Sequence, residues 1–320
     1  MIQTHQIIKW LGRQWPNLEV TLEQIHTIGD RITSVPLSQI GGDGVFVTEI
    51  EHALAERRID LAVHSLKDLP TAQPDGSHVI VVGPREDVRD VLVSRETLRI
   101  SEEGLLPVLL RKQQATLLRI GTCSLRRTAQ IRKLCPDAEI LPLRGNVDTR
   151  LRKLEAGNYD GIILASAGLH RLGMQEQLAG RLTYFPIEVM MPAPGQGALA
   201  LEIRDEPEMR NLLAPLNDTT VQAATGAERM FMRRLGAGCY LPVAAYGEII
   251  GETLTLLGLV ISLDGQRCIC VHQSMPWTAQ TTIEHAERLG ISLAEQALAQ
   301  GADEIIHEMM TSREQERQRV

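Results

Sequence analysis

The chain is predicted to be an α/β protein with a third, α+β unit at its C-terminal end, and three observations carry that prediction. Short, nearly continuous apolar runs at 59–63 and 160–165 (DGIILA) have the pattern of strands buried on both faces of a sheet. Such runs alternate with helix-patterned stretches up to about residue 203, which implies largely parallel sheets with right-handed crossovers. Beyond Asp218 three strand-like runs follow one another, and Asp264-Gly265 between the last two predicts a hairpin and hence an antiparallel sheet.

The 320 residues exceed one ordinary domain, and 43% hydrophobic content suffices for real cores. A net charge of −7 argues against wholesale binding to nucleic acid or an anionic membrane, and 3% aromatic content offers few stacking platforms. No stretch approaches the roughly 18 apolar residues of a membrane span. The first 16 residues lack the pattern of a signal peptide, and five cysteines without a CxxC pair suit reduced thiols. A cytoplasmic location is therefore expected. Cys268 and Cys270 fall on one face of a predicted strand and are not assigned a metal; no metal site is expected.

Taken in order, Ile2, Ile7, Ile8 and Leu11 have the spacing of an amphipathic helix. Residues 18–28 alternate and predict a strand. Residues 29–44, with Pro36, Gly41, Gly42 and Gly44, predict a mobile loop that could serve as a lid. A helix over 45–57 (Phe46, Ile50, Ala53, Leu54) leads into the 59–63 strand, and strands follow at 78–82 and 91–94. Residues 101–118, broken by Pro107, read as a helix or a long connector.

A second α/β region opens with a strand at 119–121. Thr122 or Ser124 can cap the next helix, which runs to Leu134 and is stopped by Pro136. A strand at 138–143, a helix capped by Asn146 and ending at Gly157, and the 160–165 strand follow. A Pro/Gly-rich crossing at 190–197 (MMPAPGQG) precedes a strand at 198–203. The third unit has a helix at 221–235, strands at 244–250, 254–263 and 267–274, one closing helix at 282–310, and a frayed tail.

Chemistry concentrates in three places. The first is 61–71, LAVHSLKDLPT, where His64, Ser65, Lys67 and Asp68 crowd the carboxyl end of a strand and Pro70 delays any helix. Asp68 is either a carboxylate placed for chemistry or a turn residue paired with Lys67. The second is a basic block, nine cations between Arg119 and Lys153 against three acids, in a chain acidic overall. Arg126, Arg127, Arg144 and Arg150 lie close to predicted helix N-termini. Arginine there opposes the helix dipole unless an anion compensates, so these four are candidate anion contacts. Arg132, Lys133, Arg152 and Lys153 are assigned to a solvated face. The third is Cys239 in MRRLGAGCYLP, a candidate nucleophile near Arg233 and Arg234 with Gly236 and Gly238 leaving room for a bulky group.

Across nearly its whole length the sequence resembles the hydroxymethylbilane synthase (porphobilinogen deaminase) family. The resemblance rests on GDRI (29–32), 41–46, AVHSLKDLPT (62–71), GTCSLRR (121–127) and LRGNVDTRL (143–151). It continues through ILASAGLHRLG (163–173), PGQGAL (194–199) and Gly238-Cys239. It implies two periplasmic-binding-protein-like α/β domains with a cleft between them, plus a third α+β domain with a small antiparallel sheet. The implied domains are 1–98 with 194–213, then 117–193, then 218–320.

The resemblance further implies a transferase that joins porphobilinogen units into hydroxymethylbilane with release of ammonia, as a monomer, for tetrapyrrole biosynthesis. Cys239 would carry a dipyrromethane cofactor through a thioether. Asp68 would stabilise the cation left when ammonia departs and manage protons. Ser65, Lys67, Thr122, Ser124, Arg126, Arg127, Arg144 and Arg150 would hold the acetate and propionate groups, and Phe46 would stack on a pyrrole. The family usually opens with a strand and an Arg-x-Ser loop, whereas Met1 here falls inside the following helix, so an upstream start is expected. The glycine loop has Asp43 where the family has lysine. An anionic-solute binding module and a truncated or inactive paralogue are the alternative readings.

Overall fold

The computed structural model describes residues 1–25, 27, 47–96, 118–238 and 241–318. In chain order the described elements begin with α1 (Ile2–Gln14), α2 (Thr48–Ala55), β1 (Leu61–Ser65), β2 (Ser77–Val82) and β3 (Asp90–Ser94). Next come β4 (Arg119–Gly121), α3 (Leu125–Leu134), β5 (Glu139–Leu141), α4 (Val147–Glu155), β6 (Gly161–Ala165), α5 (Ser166–Arg171) and β7 (Leu182–Tyr184). The chain continues with β8 (Leu199–Arg204), α6 (Pro207–Leu213) and α7 (Thr219–Arg234). It closes with β9 (Val243–Ile250), β10 (Thr253–Ile261), β11 (Cys268–Pro276), α8 (Ile283–Ala299) and α9 (Ala302–Gln318).

Three sheets result among the described residues, in strand orders β1-β8-β2, β5-β4-β6-β3-β7 and β11-β10-β9. The expectation of largely parallel sheets is corrected. Among the described residues only β4 with β5 and β4 with β6 pair in parallel. β8 runs antiparallel to both β1 and β2, and β3 antiparallel to both β6 and β7. The reason is the route of the chain. β3 follows a crossing from the first sheet into the second, β8 follows the crossing back, and each enters the middle of the other unit's strands reversed. The strand Asp90–Ser94, expected within 1–98 of the first unit, therefore belongs to the second sheet.

Local signals account for three of the helix starts. Ser124 Oγ accepts from Arg127 N, Asn146 Oδ1 from Thr149 N, and Asp218 from Thr220 N and Val221 N. Each satisfies donors that the first helical turn leaves unpaired. α1 buries Ile7 and Leu11 against Ile80, Leu199, Leu201 and Ile203 of β2 and β8, each side chain contributing about 1.5–3 kcal/mol. The second sheet is packed on both faces, one by Leu151, Leu154 and Leu169, the other by Ile131, Phe185 and Met190. In the third unit Phe231 of α7 and Leu293 of α8 fill the space above β9 and β10.

Two further expectations are corrected. Residues 18–25 form no regular structure: Leu18 and Val20 are exposed, and alternation makes a strand only where a neighbour takes its backbone groups. The closing helix is two helices, divided at Gly301, whose φ of 93° no right-handed helix accommodates; α9 then extends through most of the predicted tail, to Gln318. The expected lid over 29–44, with Asp43, and the connector over 101–117 lie outside the described residues. No helix among the described residues is long and apolar enough to cross a membrane.

Candidate active site

At the end of β1 the chain makes a single 3-10 turn, Leu66–Asp68, which buries Leu66 and leaves Asp68 exposed. Leu69 is buried next to it, so the turn is pinned by apolar residues on both sides of the carboxylate. Arg229 of α7 fixes the turn from below. Its guanidinium donates to the carbonyl oxygens of Leu66 (3.2 Å), Leu69 (3.0 Å) and Pro70 (2.6 Å). Ser65 Oγ accepts from Gln3 Nε2 at 2.8 Å. His64 does not join this group. It lies within β1, buried 3.0 Å from the buried carboxylate of Glu202 on β8.

Lys67 is the second member of the turn with a clear electrostatic signature. Burial first of all, then Arg127 and Arg126, lower its ammonium to about 8, while Asp68 and Asp90 oppose the shift. Its Nζ donates to Gln196 Oε1 at 3.1 Å, and Gln196 Nε2 donates in turn to Asp90 Oδ1 at 3.0 Å and to Val88 O at 2.7 Å. Gln196 belongs to the crossing segment that returns the chain to the first sheet. Gly197 beside it is indispensable: its φ is 88°, and a Cβ there would stand 2.3 Å from Glu86 O of the other crossing.

Asp90, fully buried, is the centre of the arrangement. It receives Arg126 Nη1 at 2.7 Å on one oxygen, and Arg127 Nη2 at 2.7 Å and Nε at 3.1 Å on the other. Burial pushes its carboxyl up, but the two guanidinium groups outweigh burial and hold it well below the usual carboxylate range. Thus the compensating charge for the two arginines at the start of α3 is internal. Arg126 and Arg127 are each 5% exposed. Arg127 also donates to Ile163 O and Arg126 to Met191 O. One buried donor, Arg126 Nε, has no hydrogen-bond partner among the described residues.

Arg144 and Arg150 are half-buried at the N-terminal end of α4. Arg150 Nε donates to Gly145 O at 2.7 Å, which folds the side chain back over the helix start. Its guanidinium is lowered, first by burial and then by Arg127, with Arg144 adding to the effect and Cys123 and Asp68 opposing it. Asp68 of the first unit and Arg150 of the second therefore share one electrostatic environment with Arg144 and Arg127. Thr122 Oγ1 and Ser124 Oγ accept from the backbone N–H of Ser124 and Arg127, which holds both hydroxyls at the start of α3.

The predicted cluster around Asp68 and Lys67 is thus brought together with Arg126, Arg127 and Arg150. Phe46 and Cys239 lie outside the described residues. Of the cations assigned to a solvated face, Lys133 and Arg152 are exposed, whereas Arg132, which donates to Leu263 O, and Lys153, which donates to Arg144 O, are half-buried. Sequence reasoning missed Asp90, Gln196 and Arg229. The first two stand in segments it had marked, β3 and PGQG, yet no local spacing announces their partners.

Fold and site together define an α/β protein in which one exposed carboxylate shares its surroundings with arginines from a neighbouring unit. Residues 1–211 match the family model "Porphobilinogen deaminase, dipyromethane cofactor binding domain", and residues 223–299 match "Porphobilinogen deaminase, C-terminal domain". The porphobilinogen deaminase of Syntrophotalea carbinolica is 46% identical over 303 residues, covering 93% of this chain and 90% of the relative. That of Geobacter metallireducens is 44% identical over 300 residues, covering 93% and 88%. Among solved structures, a probable amino-acid ABC transporter extracellular-binding protein from Bacillus subtilis aligns at TM-score 0.38 and 12% identity, covering 67% of this chain and 80% of that one. The chain belongs to the porphobilinogen deaminase family of transferases.

Proposed function

We propose that this protein joins four porphobilinogen units head to tail, releasing one ammonia per unit and finally hydroxymethylbilane, with a dipyrromethane cofactor held on Cys239 through a thioether. The observation that carries this reading is the shared environment of Asp68, Lys67 and Arg150. One acid among several cations suits a substrate whose rings each bear two carboxylates and whose reacting carbon becomes positive as ammonia leaves.

The residues fit such a cofactor. Arg126 Nε is a buried N–H without an acceptor among the described residues, and a carboxylate would supply one. Arg144, Arg150, Lys67, Ser65, Thr122 and Ser124 are the further groups proposed to hold carboxylates, with Arg127 held between Asp90 and the site. Dipyrromethane, when bound, supplies the electron-rich ring that starts the chain. Asp68 places fixed negative charge beside the developing cation of porphobilinogen, which lowers the barrier to ammonia loss, and its oxygens can take up the proton released on coupling. Arg229 keeps that carboxylate in place by anchoring three carbonyls of its turn. Phe46 is proposed to stack on a pyrrole.

Intact-mass measurement of the purified protein, combined with an assay of uroporphyrin formed from porphobilinogen, tests the proposal. The expected result is a mass increase of two pyrrole units mapping to Cys239, with product formation. An unmodified chain without turnover would favour the anionic-solute or inactive reading instead.

A further inference from the structure

The third unit carries a second reactive centre that the proposed chemistry does not use. Cys268 and Cys270 are two apart on β11, and successive side chains of a strand alternate between faces, so both thiols stand on one side. Their sulfurs are 3.5 Å apart, Cys270 is exposed and Cys268 is half-buried. Across from them, Lys133 of α3 donates from Nζ to Cys268 Sγ at 3.3 Å. The packing there is close: Gly265 of the hairpin has a φ of 78°, and a Cβ on it would stand 2.5 Å from Lys133 N. The ammonium is thus placed by main-chain packing as well as by its own reach.

We propose that Cys268 and Cys270 form an accessible redox pair that takes oxidising equivalents from low-molecular-weight disulfides, with Cys268 as the attacking sulfur and Cys270 as the resolving one. Three features support the order of events. Cys268 has both a thiol and an ammonium aimed at its sulfur. The hydrogen bond shared with Cys270 lowers its thiol most, against burial, and Lys133 lowers it further, to about 6. The hydrogen bond to Cys268, burial and the charge on Cys268 push Cys270 up, with Lys133 opposing, which keeps it protonated until Cys268 has reacted.

The steps balance without a metal or a further reagent. The Cys268 thiolate attacks one sulfur of the small disulfide, whose S–S bond breaks and releases one thiolate. The Cys270 thiol then gives up its proton and attacks Cys268 Sγ, forming the Cys268–Cys270 bond and releasing the second thiolate. Two electrons pass to the small disulfide, which leaves as two thiols. In an extended strand, residues two apart have Cα atoms about 6.6–6.8 Å from each other, the far end of the range that disulfides span. The bond formed is therefore strained and readily reduced, the property of a reversible pair rather than a structural one. Among the described residues β11 pairs only with β10, so its other edge can absorb the adjustment.

The test is to expose the full-length, cofactor-loaded protein to oxidised glutathione and map cysteines by peptide mass. The expected product is an intrapeptide Cys268–Cys270 disulfide, lost on adding a reductant. In Cys270→Ser the reaction should stop at a glutathione adduct on Cys268, and in Cys268→Ser position 270 should stay reduced under the same exposure. Lys133→Met should move the pH midpoint of Cys268 alkylation upward by about one unit. Oxidation confined to Cys123, adducts on Cys270 in Cys268→Ser as fast as those on Cys268 in Cys270→Ser, or an unchanged midpoint in Lys133→Met would each overturn the assignment.

Discussion

Asp90 on β3 and Arg127 on α3 meet in a 2.7 Å ion pair with solvent almost wholly excluded from both. The same carboxylate holds Arg126 and receives Gln196, whose other end holds Lys67. One buried acid thus ties together groups from the second sheet, the returning crossing and the Asp68 turn.

Asp90→Asn leaves two buried guanidinium groups without their counter-charge, and a loss of about 3–5 kcal/mol is expected in denaturant unfolding. The pH dependence follows from the sign of the shift. The folded carboxyl lies below its unfolded value of about 3.9, so its contribution is present above pH 4 and lost as pH falls through the folded value. The variant should therefore show a shallower decline in stability below pH 4 than the parent protein.

Lys67 should govern the alkaline side of substrate binding. Its ammonium is lowered to about 8, so it is charged below that pH and increasingly neutral above it. Losing one charge-assisted hydrogen bond of about 1.5–3 kcal/mol should raise KM roughly 10- to 100-fold as pH climbs past 8. Lys67→Arg, which keeps its charge, should erase that limb in a KM profile from pH 7 to 10; an unaltered limb would exclude Lys67 as its source.

Asp68→Ala should cut turnover by roughly a thousandfold or more while leaving the cofactor on Cys239. Product assay and intact mass together check this. Turnover at the parental rate would refute the role given to Asp68.

Arg229→Met removes three hydrogen bonds to the Asp68 turn without touching the carboxylate. Misplacement by about 1 Å is enough to lower kcat roughly 100-fold. Arg229→Lys should recover part of the loss, because an ammonium can still reach one or two of the carbonyls. Equal losses in both variants would point to general destabilisation, which a melting curve would reveal.

Cys239→Ser should leave the protein without a normal thioether to its cofactor, so mass spectrometry should find mainly the bare chain and the assay little product. A fully loaded serine variant would contradict the assignment of Cys239.

What the sequence determined by itself is the part of this protein written in neighbouring residues. Ser124, Asn146 and Asp218 start helices through bonds two or three residues long, and Asp68 follows a strand that its apolar run makes plain. The match of separated motifs in order gave the family, since motif order survives whatever the chain does in space. Tertiary structure alone decided that β3 and β8 enter each other's units reversed, and that Asp90 answers Arg126 and Arg127 from 36 and 37 residues away. Periodicity tells a strand which face to bury but not which neighbour to take, and a buried charge finds its counter-charge only once the chain between them has folded.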